Sequence, residues 1–427
     1  MMKKSFLASG HLPTLFSAFL YFDVSFMVWV LFGPITPFIA DQMHLSATQK
    51  GLLTAIPLLG GSFFRPILGL LADRIGGRRA GLAGLILTLV PLVLGWRFAT
   101  ELWQLYLVGF LLGIAGASFA VALPLAGRWY SSEHQGLAMG IAGAGNTGTL
   151  IATFFAPRLA QHFGWHMAFA AALVPLGMVL AVFFVCASNS PSKSSPKPWP
   201  QYANLLKQAD TWRLCLLYSL TFGGFVGLSS FLSVFFHDQY RLTKIQAGDY
   251  ATVVIVAGSL LRPVGGWIAD RIGGYRVLLW LFACVAVCLM LVSSLPSIAL
   301  AVPLLFLAMG MLGMGNGAVF QIAPQRFPAD IELTTGIVGA AGGLGGFFLP
   351  SALGALKDLF GSYGYGLLCF AIVLLIGVFL LLEFGVRWSF TWAPVARQRT
   401  MVFSYRRSQA MPARKPEITG ALQSAEE

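Results

Sequence analysis

The feature that most constrains this chain is a stretch of sequence that occurs twice. Residues 61–79 read GSFFRPILGLLADRIGGRR and residues 258–276 read GSLLRPVGGWIADRIGGYR, with twelve of nineteen positions identical. Each copy holds one arginine, Arg65 or Arg262, eight residues before the aspartate of a charged, glycine-rich loop, and the residues between are uncharged. At about 1.5 Å per helical residue, each guanidinium lies roughly 12 Å inside the end of an apolar helix. The repeat therefore predicts a tandem duplication in which each half buries one cation.

The composition indicates the medium that these helices cross. Hydrophobic residues make up 57% of the 427 residues and charged residues only 10%, and the mean hydropathy is +0.76. A soluble domain of this composition would expose large apolar patches, so the chain is predicted to be a polytopic membrane protein. A depth of roughly 12 Å is near the middle of a hydrocarbon core about 30 Å thick, where a lone cation is costly and marks a functional site. Two such cations at equivalent positions predict a site for an anion.

Apolar runs of about 20 residues, the length that crosses a bilayer as a helix, occur twelve times along the chain. They cover residues 15–40, 48–72, 80–97, 102–124, 136–158, 166–187, 213–236, 247–269, 277–295, 298–322, 334–356 and 364–386. This division gives an N-terminal half of six helices at residues 1–187, a linker rich in Ser, Pro and Lys at 188–210, a C-terminal half at 211–386, and a basic tail at 387–427. The composition of the tail predicts that it lies on the membrane surface or is disordered.

The basic residues indicate how the chain is oriented in the membrane. Of the 28 lysines and arginines, twenty fall in termini and loops on the N-terminal side of the predicted spans, six fall on the other side, and Arg65 and Arg262 lie within spans. Because positively charged loops stay in the cytoplasm, we expect a multi-pass protein of the cytoplasmic membrane with both termini inside. Contact with anionic headgroups of the lipid bilayer accounts for the net charge of +12, so no nucleic-acid partner is expected.

Several motifs carry a resemblance to a known family. The loops Gly69–Arg79 and Gly266–Arg276, which follow the second and eighth predicted spans, resemble the loop signature of the major facilitator superfamily. The glycine-rich stretches Gly140–Gly148 and Gly336–Pro350 resemble the two nitrate signatures of the nitrate/nitrite porter family, and Gly313–Pro328 is similar to its nitrate-assimilation branch. The resemblance covers nearly the whole chain. It implies an all-α integral membrane protein of twelve transmembrane helices in two pseudo-symmetric six-helix halves.

The resemblance also implies that Arg65 and Arg262 clamp the substrate, because they match the paired arginines that bind nitrate in the porter family. Nitrate is a planar anion, and a guanidinium is planar, permanently charged and able to donate two parallel hydrogen bonds. The alternative is that both arginines pair with carboxylates and hold helices together. Asp23 is the one carboxylate predicted to lie deep within a span, which leaves few partners for such pairs.

Further residues of the predicted site follow from the same resemblance. Tyr218, Phe222 and Phe119 match aromatic residues that would flank the flat anion, although aromatic residues at helical spacing more often serve packing. Asn146 lies in a glycine series that is otherwise typical of close helix packing, and its amide is expected to donate to an anion oxygen. Asp23 has two interpretations: it takes up and releases the coupling proton, or it is a fixed counter-ion for the arginines.

The charged loops are expected to act as conformational switches. Asp73 and Arg74 in the first loop, and Asp270 and Arg271 in the second, resemble residues that in the superfamily contact neighbouring helices and hold the outward-facing state. The alternative is that these side chains are solvated. Asp249, near the outer end of the eighth predicted span, is expected to be a solvated helix cap.

The chain is expected to be a transporter and not an enzyme. The sequence contains no phosphate-binding G-x-x-x-x-G-K-[ST] motif, and no nucleophile–base pair or cluster of metal ligands stands out, so neither a cofactor nor a metal is expected. We expect a monomer that takes up nitrate, with nitrite as a second candidate substrate, by alternating access with proton symport. Antiport of nitrate against nitrite is the alternative coupling, in which a counter-anion replaces the proton. An anion sensor and an anion channel are the alternatives of another class.

Overall fold

The structure, a computed structural model, describes residues 10–191, 199–327 and 330–409. Those residues are helical apart from short connections, and none of them lies in a strand. The all-α fold class predicted from the sequence is therefore confirmed. By its internal contacts the chain divides into two compact units, Met1–Phe379 and Leu380–Glu427.

Eleven of the described helices are long and apolar enough to cross a membrane. They are Leu12–Met43, Ala47–Ile75, Gly77–Arg97, Leu102–Gly127, His166–Cys186, Ala209–Tyr240, Lys244–Ile272, Gly274–Ser293, Ile298–Arg326, Leu333–Phe360 and Gly364–Trp388. The remaining predicted span, the fifth, consists of three consecutive shorter segments, Ser132–Gly143, Ala144–Thr147 and Gly148–Phe163. Numbered in chain order, these elements are spans 1 to 12, and the twelve-helix prediction agrees with them.

The ends of two segments differ from the sequence prediction. The helix that carries span 12 continues to Gln409, so residues 387–409, predicted to belong to a surface or disordered tail, are helical, and residues 410–427 lie outside the described part of the chain. A change from apolar to polar residues ends a membrane span but need not end a helix, because the helical hydrogen bonds form within the backbone. The predicted linker, residues 188–210, contains a short helix, Trp199–Leu206, in its described part.

Four spans are irregular within the stretches that carry predicted site residues. Span 4 is interrupted between Gly116 and Phe119, so that Phe119 begins a new helix. Span 5 narrows to a 3-10 turn at Ala144–Thr147, inside the first glycine-rich signature. Span 7 widens to a π-helical turn at Ser219–Gly223. Such turns are rare in proteins, and those that occur are often at functional sites. Span 8 is interrupted at Leu261, directly before the helix Arg262–Ile272, in which Pro263 has no amide hydrogen to bond to the preceding turn.

The glycine signatures serve close packing at several positions, as predicted. In span 5, a Cβ atom added at Gly148 would lie 1.9 Å from the backbone oxygen of Asp23 on span 1. In span 11, a Cβ atom added at Gly345 would lie 2.6 Å from the backbone oxygen of Ser219 on span 7. A Cβ atom at Gly140, in contrast, would meet no described atom within 4 Å. Close packing therefore accounts for some glycines of the series and not for all of them.

Replacing Gly148 by alanine is expected to destabilise the protein, because the new methyl group overlaps a backbone atom and spans 1 and 5 must move apart. Overpacking of this kind costs about 1–3 kcal/mol. Thermal unfolding in detergent measures the effect. Gly140→Ala, in the same signature, is the control and should unfold at the wild-type temperature. Equal melting temperatures for the two variants would contradict the close contact between spans 1 and 5.

Candidate functional site

Arg65 lies on span 2 with its side chain enclosed, at 1% exposure. Its Nε atom donates a hydrogen bond to the backbone oxygen of Gly116 at 2.9 Å, and its Nη1 atom donates to the backbone oxygen of Gly339. Because Gly116 belongs to the first half and Gly339 to the second, this one side chain links the two halves. The Nη2 atom is buried and has no hydrogen-bond partner, so Arg65 keeps a free donor that an anion can use.

Arg262 begins the helix that follows the interruption in span 8. Its Nη1 atom is also buried without a hydrogen-bond partner. The centroid of the Phe119 ring lies 5.9 Å from Arg262 Cζ and 5.4 Å from Arg65 Cζ, so the two guanidinium groups are no farther apart than the sum of these distances. Within the described ranges, neither arginine forms an ion pair with a carboxylate. The alternative, that Arg65 and Arg262 pair with carboxylates to hold helices together, therefore does not apply to this conformation.

Aromatic rings surround the guanidinium of Arg65. Its Cζ atom lies 5.0 Å from the ring centroid of Trp29 and 5.2 Å from that of Phe222. The rings of Tyr218 and Phe222 are stacked, with centroids 5.0 Å apart and an angle of 4° between their planes. The hydroxyl of Tyr218 is buried beside the guanidinium of Arg262, and because arginine can only donate, the O–H of Tyr218 has no acceptor among the described residues. The three predicted aromatic residues, Tyr218, Phe222 and Phe119, thus lie together beside the arginines, and Tyr218 adds another free donor.

Two aromatic residues of this cluster, Trp29 and Phe320, were not predicted from the sequence. The ring centroid of Phe320 lies 5.8 Å from Arg262 Cζ and 4.9 Å from the centroid of Tyr218. A signal for Phe320 exists in the duplication: Gly109, Gly116 and Phe119 recur at a constant offset of 201 as Gly310, Gly317 and Phe320. Trp29 has no such signal, since an aromatic residue in an apolar run is typical of packing, and its Nε1 atom donates to the backbone oxygen of Pro57 at 2.6 Å.

Asn146 lies in the 3-10 turn of span 5 and is fully buried, at 0% exposure. Neither its Oδ1 atom nor its Nδ2 atom has a hydrogen-bond partner. Its backbone oxygen accepts a hydrogen bond from the hydroxyl of Ser259 at 3.4 Å, three residues before Arg262 on span 8. A buried polar group without a partner costs about 1–3 kcal/mol. The amide of Asn146 is therefore suited to a ligand that arrives from outside the protein.

Asp23 on span 1 has a hydroxyl partner and no arginine partner. Its side chain is buried, and its Oδ1 atom accepts a hydrogen bond from Thr147 Oγ1 at 2.6 Å. Thr147 directly follows Asn146 in the 3-10 turn, so the carboxylate is connected to the turn that carries the predicted amide. Asp23 forms no ion pair with any described residue. In this conformation it is not a direct counter-ion of Arg65 or Arg262.

The two charged loops differ in their contacts. Asp73 in the first loop accepts a hydrogen bond from Arg128 Nη2 at 3.2 Å and from the hydroxyl of Tyr202 at 3.1 Å. In the second loop, Asp270 is exposed and, in the part of the chain that is described, has no ion pair, while the guanidinium of Arg271 lies 3.6 Å from a ring of its own helix. The predicted contact with neighbouring elements therefore applies to Asp73 and not to Asp270 in this conformation.

A cavity of about 330 Å³ connects the arginine of span 2 with the charged loop that follows it. Arg65 lines the inner end of this cavity, and Asp73 and Tyr202 line the end beside the first charged loop. Its walls are mostly apolar and come from both halves, with Leu70 from span 2 and Ile337 from span 11 among them. The cavity gives a route between the arginine and the end of the bundle that carries the charged loops, which we call the loop side.

Charged residues join the two halves at the opposite end of the bundle, which we call the far side. Three ion pairs cross between the halves there: Lys50 with Asp238 at 2.8 Å, Lys244 with Asp41 at 2.5 Å, and Arg158 with Asp249 at 2.8 Å. In addition, the carboxylate of Asp358 accepts hydrogen bonds from the backbone N–H groups of Ala47 and Thr48. The prediction that Asp249 is a solvated helix cap was wrong, because Arg158 of the other half reaches it. These contacts hold the halves together at the far side.

Two repeated halves of six spans with cations between them define a class of membrane transporter. The sequence profile of the Major Facilitator Superfamily matches residues 18–350 and 214–399, and the chain belongs to this superfamily of transporters, not to an enzyme family. A solved structure of a bacterial homolog of the human lysosomal transporter Spinster, in an inward-facing and occupied conformation, has the same fold with a TM-score of 0.65. It shares 16% sequence identity, and the match covers 86% of this chain and 95% of that one.

More similar relatives identify the branch of the superfamily. The nitrite extrusion protein of Bacillus subtilis is 34% identical over 350 residues, which is 82% of this chain and 88% of the relative. The probable nitrate/nitrite transporter NarK2 of Mycobacterium tuberculosis is 35% identical over 81% of this chain and 89% of its own length. The probable nitrate transporter NarT of Staphylococcus epidermidis is 34% identical over 79% and 87%. The chain is a member of the nitrate/nitrite porter family.

Proposed function

We propose that this protein carries nitrate across the cytoplasmic membrane and binds it between Arg65 and Arg262. The observation that supports the proposal is a pair of free donors, since Arg65 Nη2 and Arg262 Nη1 are both buried without a partner. Both guanidinium groups also lie against the ring of Phe119. An anion that accepts from both nitrogen atoms satisfies both donors and compensates one of the two buried charges. The names of the relatives, which refer to nitrate and nitrite, support the same substrate class.

The groups beside the arginines suit a flat oxyanion. The hydroxyl of Tyr218 and the amide of Asn146 are buried donors that the protein itself leaves unused. The rings of Phe119 and Phe320, with centroids 6.0 Å apart, and the ring of Phe222 offer flat apolar faces beside the cations. Nitrate has three acceptor oxygens spread in one plane, so it can reach donors around the site that the single centre of a spherical anion such as chloride cannot contact together.

Transport follows from the position of the site between the two halves, which can rock about it. In this conformation the far-side ion pairs join the halves, and the cavity runs from Arg65 to the loop side. We place the loop side and both termini in the cytoplasm, so nitrate leaves this conformation into the cell. In the opposite conformation the far-side pairs separate and the loops around Asp73 and Asp270 close the loop side. One chain contains the whole site, and we infer that it works as a monomer.

The coupling ion is proposed to be a proton that enters with nitrate, with Asp23 as the group that carries it. Asp23 accepts a hydrogen bond from Thr147, so its protonation changes the hydrogen bonding of the turn that presents Asn146. Exchange of nitrate for nitrite is the second candidate. Among the described residues Asp23 forms no ion pair with either arginine, so binding of the anion need not be linked to protonation of Asp23. Two cations with one monoanion retain a net positive charge, and an exchanger needs no proton.

Counterflow in proteoliposomes tests the proposed function. Liposomes loaded with unlabelled nitrate are expected to accumulate isotopically labelled nitrate transiently from a dilute external solution. A channel would conduct without such accumulation, and a sensor would show neither. Absence of nitrate counterflow, in protein that is inserted and folded, would overturn the proposal.

Replacing Asp23 by asparagine separates symport from exchange. The variant keeps the shape of the side chain and cannot ionise, so we expect it to lose nitrate uptake driven by an inward proton gradient and to keep nitrate–nitrate counterflow. Thr147→Val is the companion variant, because it removes the hydroxyl that donates to Asp23 and leaves the carboxylate in place. Since the proposed coupling acts through this hydrogen bond, we expect the variant to weaken gradient-driven uptake in the same direction and to keep counterflow. Gradient-driven uptake at the wild-type rate in Asp23→Asn would remove Asp23 as the proton carrier.

A further inference from the structure

A second buried amide, on span 10, lacks partners in the same way as Asn146. Asn316 is 0% exposed, and neither its Oδ1 atom nor its Nδ2 atom forms a hydrogen bond. Gln321, further along the same span, is different, because its Oε1 atom accepts a hydrogen bond from the backbone N–H of Gly274 at 3.1 Å. Burial of an amide with both polar atoms unpaired is costly in free energy. Asn316 is therefore not explained by the packing of span 10.

Asn316 lies on the same face of span 10 as Phe320, the residue of this span that contacts Arg262. It precedes Phe320 by four residues, and residues four apart lie on one face of a helix. The ring centroid of Phe320 is 5.8 Å from Arg262 Cζ and 6.0 Å from the centroid of Phe119. The side chain of Asn316 is therefore directed towards the space between the halves, one turn from Phe320.

Close backbone contacts fix the level of Asn316 in the bundle. A Cβ atom added at Gly315 would lie 2.6 Å from Cγ2 of Thr221, in the π-helical turn of span 7. A Cβ atom added at Gly317 would lie 2.3 Å from the backbone oxygen of Arg262 on span 8. Because Asn316 stands between these two glycines, it lies at the level of Arg262 and of the turn in span 7.

The two halves supply their amides from different spans. At the offset of 201 that relates the two phenylalanines, Ala115 occupies the position that corresponds to Asn316. In the signatures of spans 5 and 11, Gly342 occupies the position that corresponds to Asn146. Each half therefore contributes one arginine, one phenylalanine and one unpaired amide, although the amides are not at equivalent positions.

We propose that Asn316 determines substrate specificity by donating a hydrogen bond from Nδ2 to an oxygen of the bound anion. The inference rests on the proposed nitrate site. With Asn316, five spans (2, 5, 7, 8 and 10) each supply one unpaired donor, and the three oxygens of nitrate can accept from all of them. Nitrite has two oxygens and leaves one of these buried donors unpaired, which penalises the smaller anion. Asn316 thus favours nitrate over nitrite.

Calorimetric titration of nitrate and nitrite into the purified protein in lipid nanodiscs tests the assignment. Asn316→Leu keeps the branched shape and the number of heavy atoms of the side chain and removes its hydrogen-bonding groups. We expect nitrate affinity to fall about 10- to 100-fold, the range of one hydrogen bond to a charged group. Nitrite affinity should fall much less, so that the nitrate-to-nitrite affinity ratio decreases. Asn316→Ser, which is small and keeps a donor, should retain part of the nitrate preference.

Gln321→Leu is the matched control, because it removes the same kind of amide from the same span at a place where the amide holds the backbone of span 9. It should lower the melting temperature and leave the affinity ratio unchanged. A wild-type ratio in Asn316→Leu, or an equal change in both leucine variants, overturns the inference. If Asn316→Leu does not fold, Asn316→Ser is measured in its place. A wild-type nitrate-to-nitrite affinity ratio in that variant then overturns the inference. A wild-type protein that binds neither anion overturns the proposed function as a whole.

Discussion

Arg65→Lys is expected to abolish nitrate transport although the charge at this position is kept. Lysine cannot reproduce the hydrogen bonds from Arg65 to Gly116 and Gly339 and still present a free donor to the anion, because its ammonium group is a single point charge. A hydrogen bond to a charged group contributes about 1.5–3 kcal/mol. Loss of the single bond from Arg65 Nη2 to nitrate should therefore lower nitrate affinity by about 10- to 100-fold. Arg262→Lys is expected to act in the same direction through loss of its free Nη1 donor.

Arg97→Lys is the matched control for both variants. Arg97 is exposed at the end of span 3, and its guanidinium lies 4.4 Å from the ring centroid of Trp96 on the same helix, so the same chemical change there should leave uptake at the wild-type level. Uptake into proteoliposomes and the melting temperature should be measured for all three proteins. Wild-type uptake by Arg65→Lys or Arg262→Lys would contradict recognition of nitrate by paired guanidinium groups.

Neutralising the three basic residues of the far-side pairs is expected to open that end of the protein. Lys50, Arg158 and Lys244 each bond an aspartate of the other half, and partly exposed pairs contribute about 0.2–1 kcal/mol each. Replacing all three by glutamine should shift the conformational equilibrium by up to roughly 100-fold. Thr153 reports the shift, since it is fully buried and bonded to Thr252 of the other half at 2.8 Å. A cysteine at position 153 should react with a membrane-impermeant maleimide much faster in the triple variant.

The labelling experiment needs a background in which the five native cysteines are replaced. Lys357→Gln is the control, because Lys357 lies at the same end but donates to the backbone oxygen of Gly361 in its own half at 2.8 Å. It should leave the labelling rate of the cysteine at 153 unchanged. A wild-type labelling rate in the triple variant would show that these ion pairs do not hold the far side closed in a membrane.

The two arginines could be found from the sequence because the duplication marks them twice. Arg65 and Arg262 stand at the same place in both copies, and uncharged residues on either side fix their depth. Hydropathy likewise located the spans, since the bilayer sets their length. Such signals report the depth of a residue and not the neighbour that it faces, which is why Phe320 and Trp29 were missed.

Equivalent sequence did not give equivalent local structure at the two prolines after the arginines. Pro66 lies inside the continuous helix Ala47–Ile75, whereas Pro263 begins a new helix after the interruption at Leu261. The copies differ two residues after the proline, where Leu68 of the first copy is Gly265 in the second, and the missing side chain allows closer tertiary packing. Here the backbone of span 8 meets that of span 10, where a Cβ atom at Gly265 would lie 2.0 Å from a backbone oxygen. Contacts of this kind are outside what a single sequence can predict.

The pairing of Asp249 with Arg158 was missed for a related reason. Both residues lie near span ends that are far apart in sequence and in different halves, and a charged residue at such an end is typical of solvation. Only the arrangement of the halves brings the two side chains together. The same applies to the hydrogen bond between Asp73 and Tyr202 of the short linker helix.

A structure of the protein with bound nitrate is the measurement that tests the central claim most directly. The account predicts planar density between the halves, with oxygens about 2.7–3.2 Å from Arg65 Nη2 and Arg262 Nη1, the two nitrogen atoms that have no partner in the protein. Nitrate bound elsewhere, with both nitrogen atoms still unpaired or with either arginine bonded to a carboxylate, would contradict it.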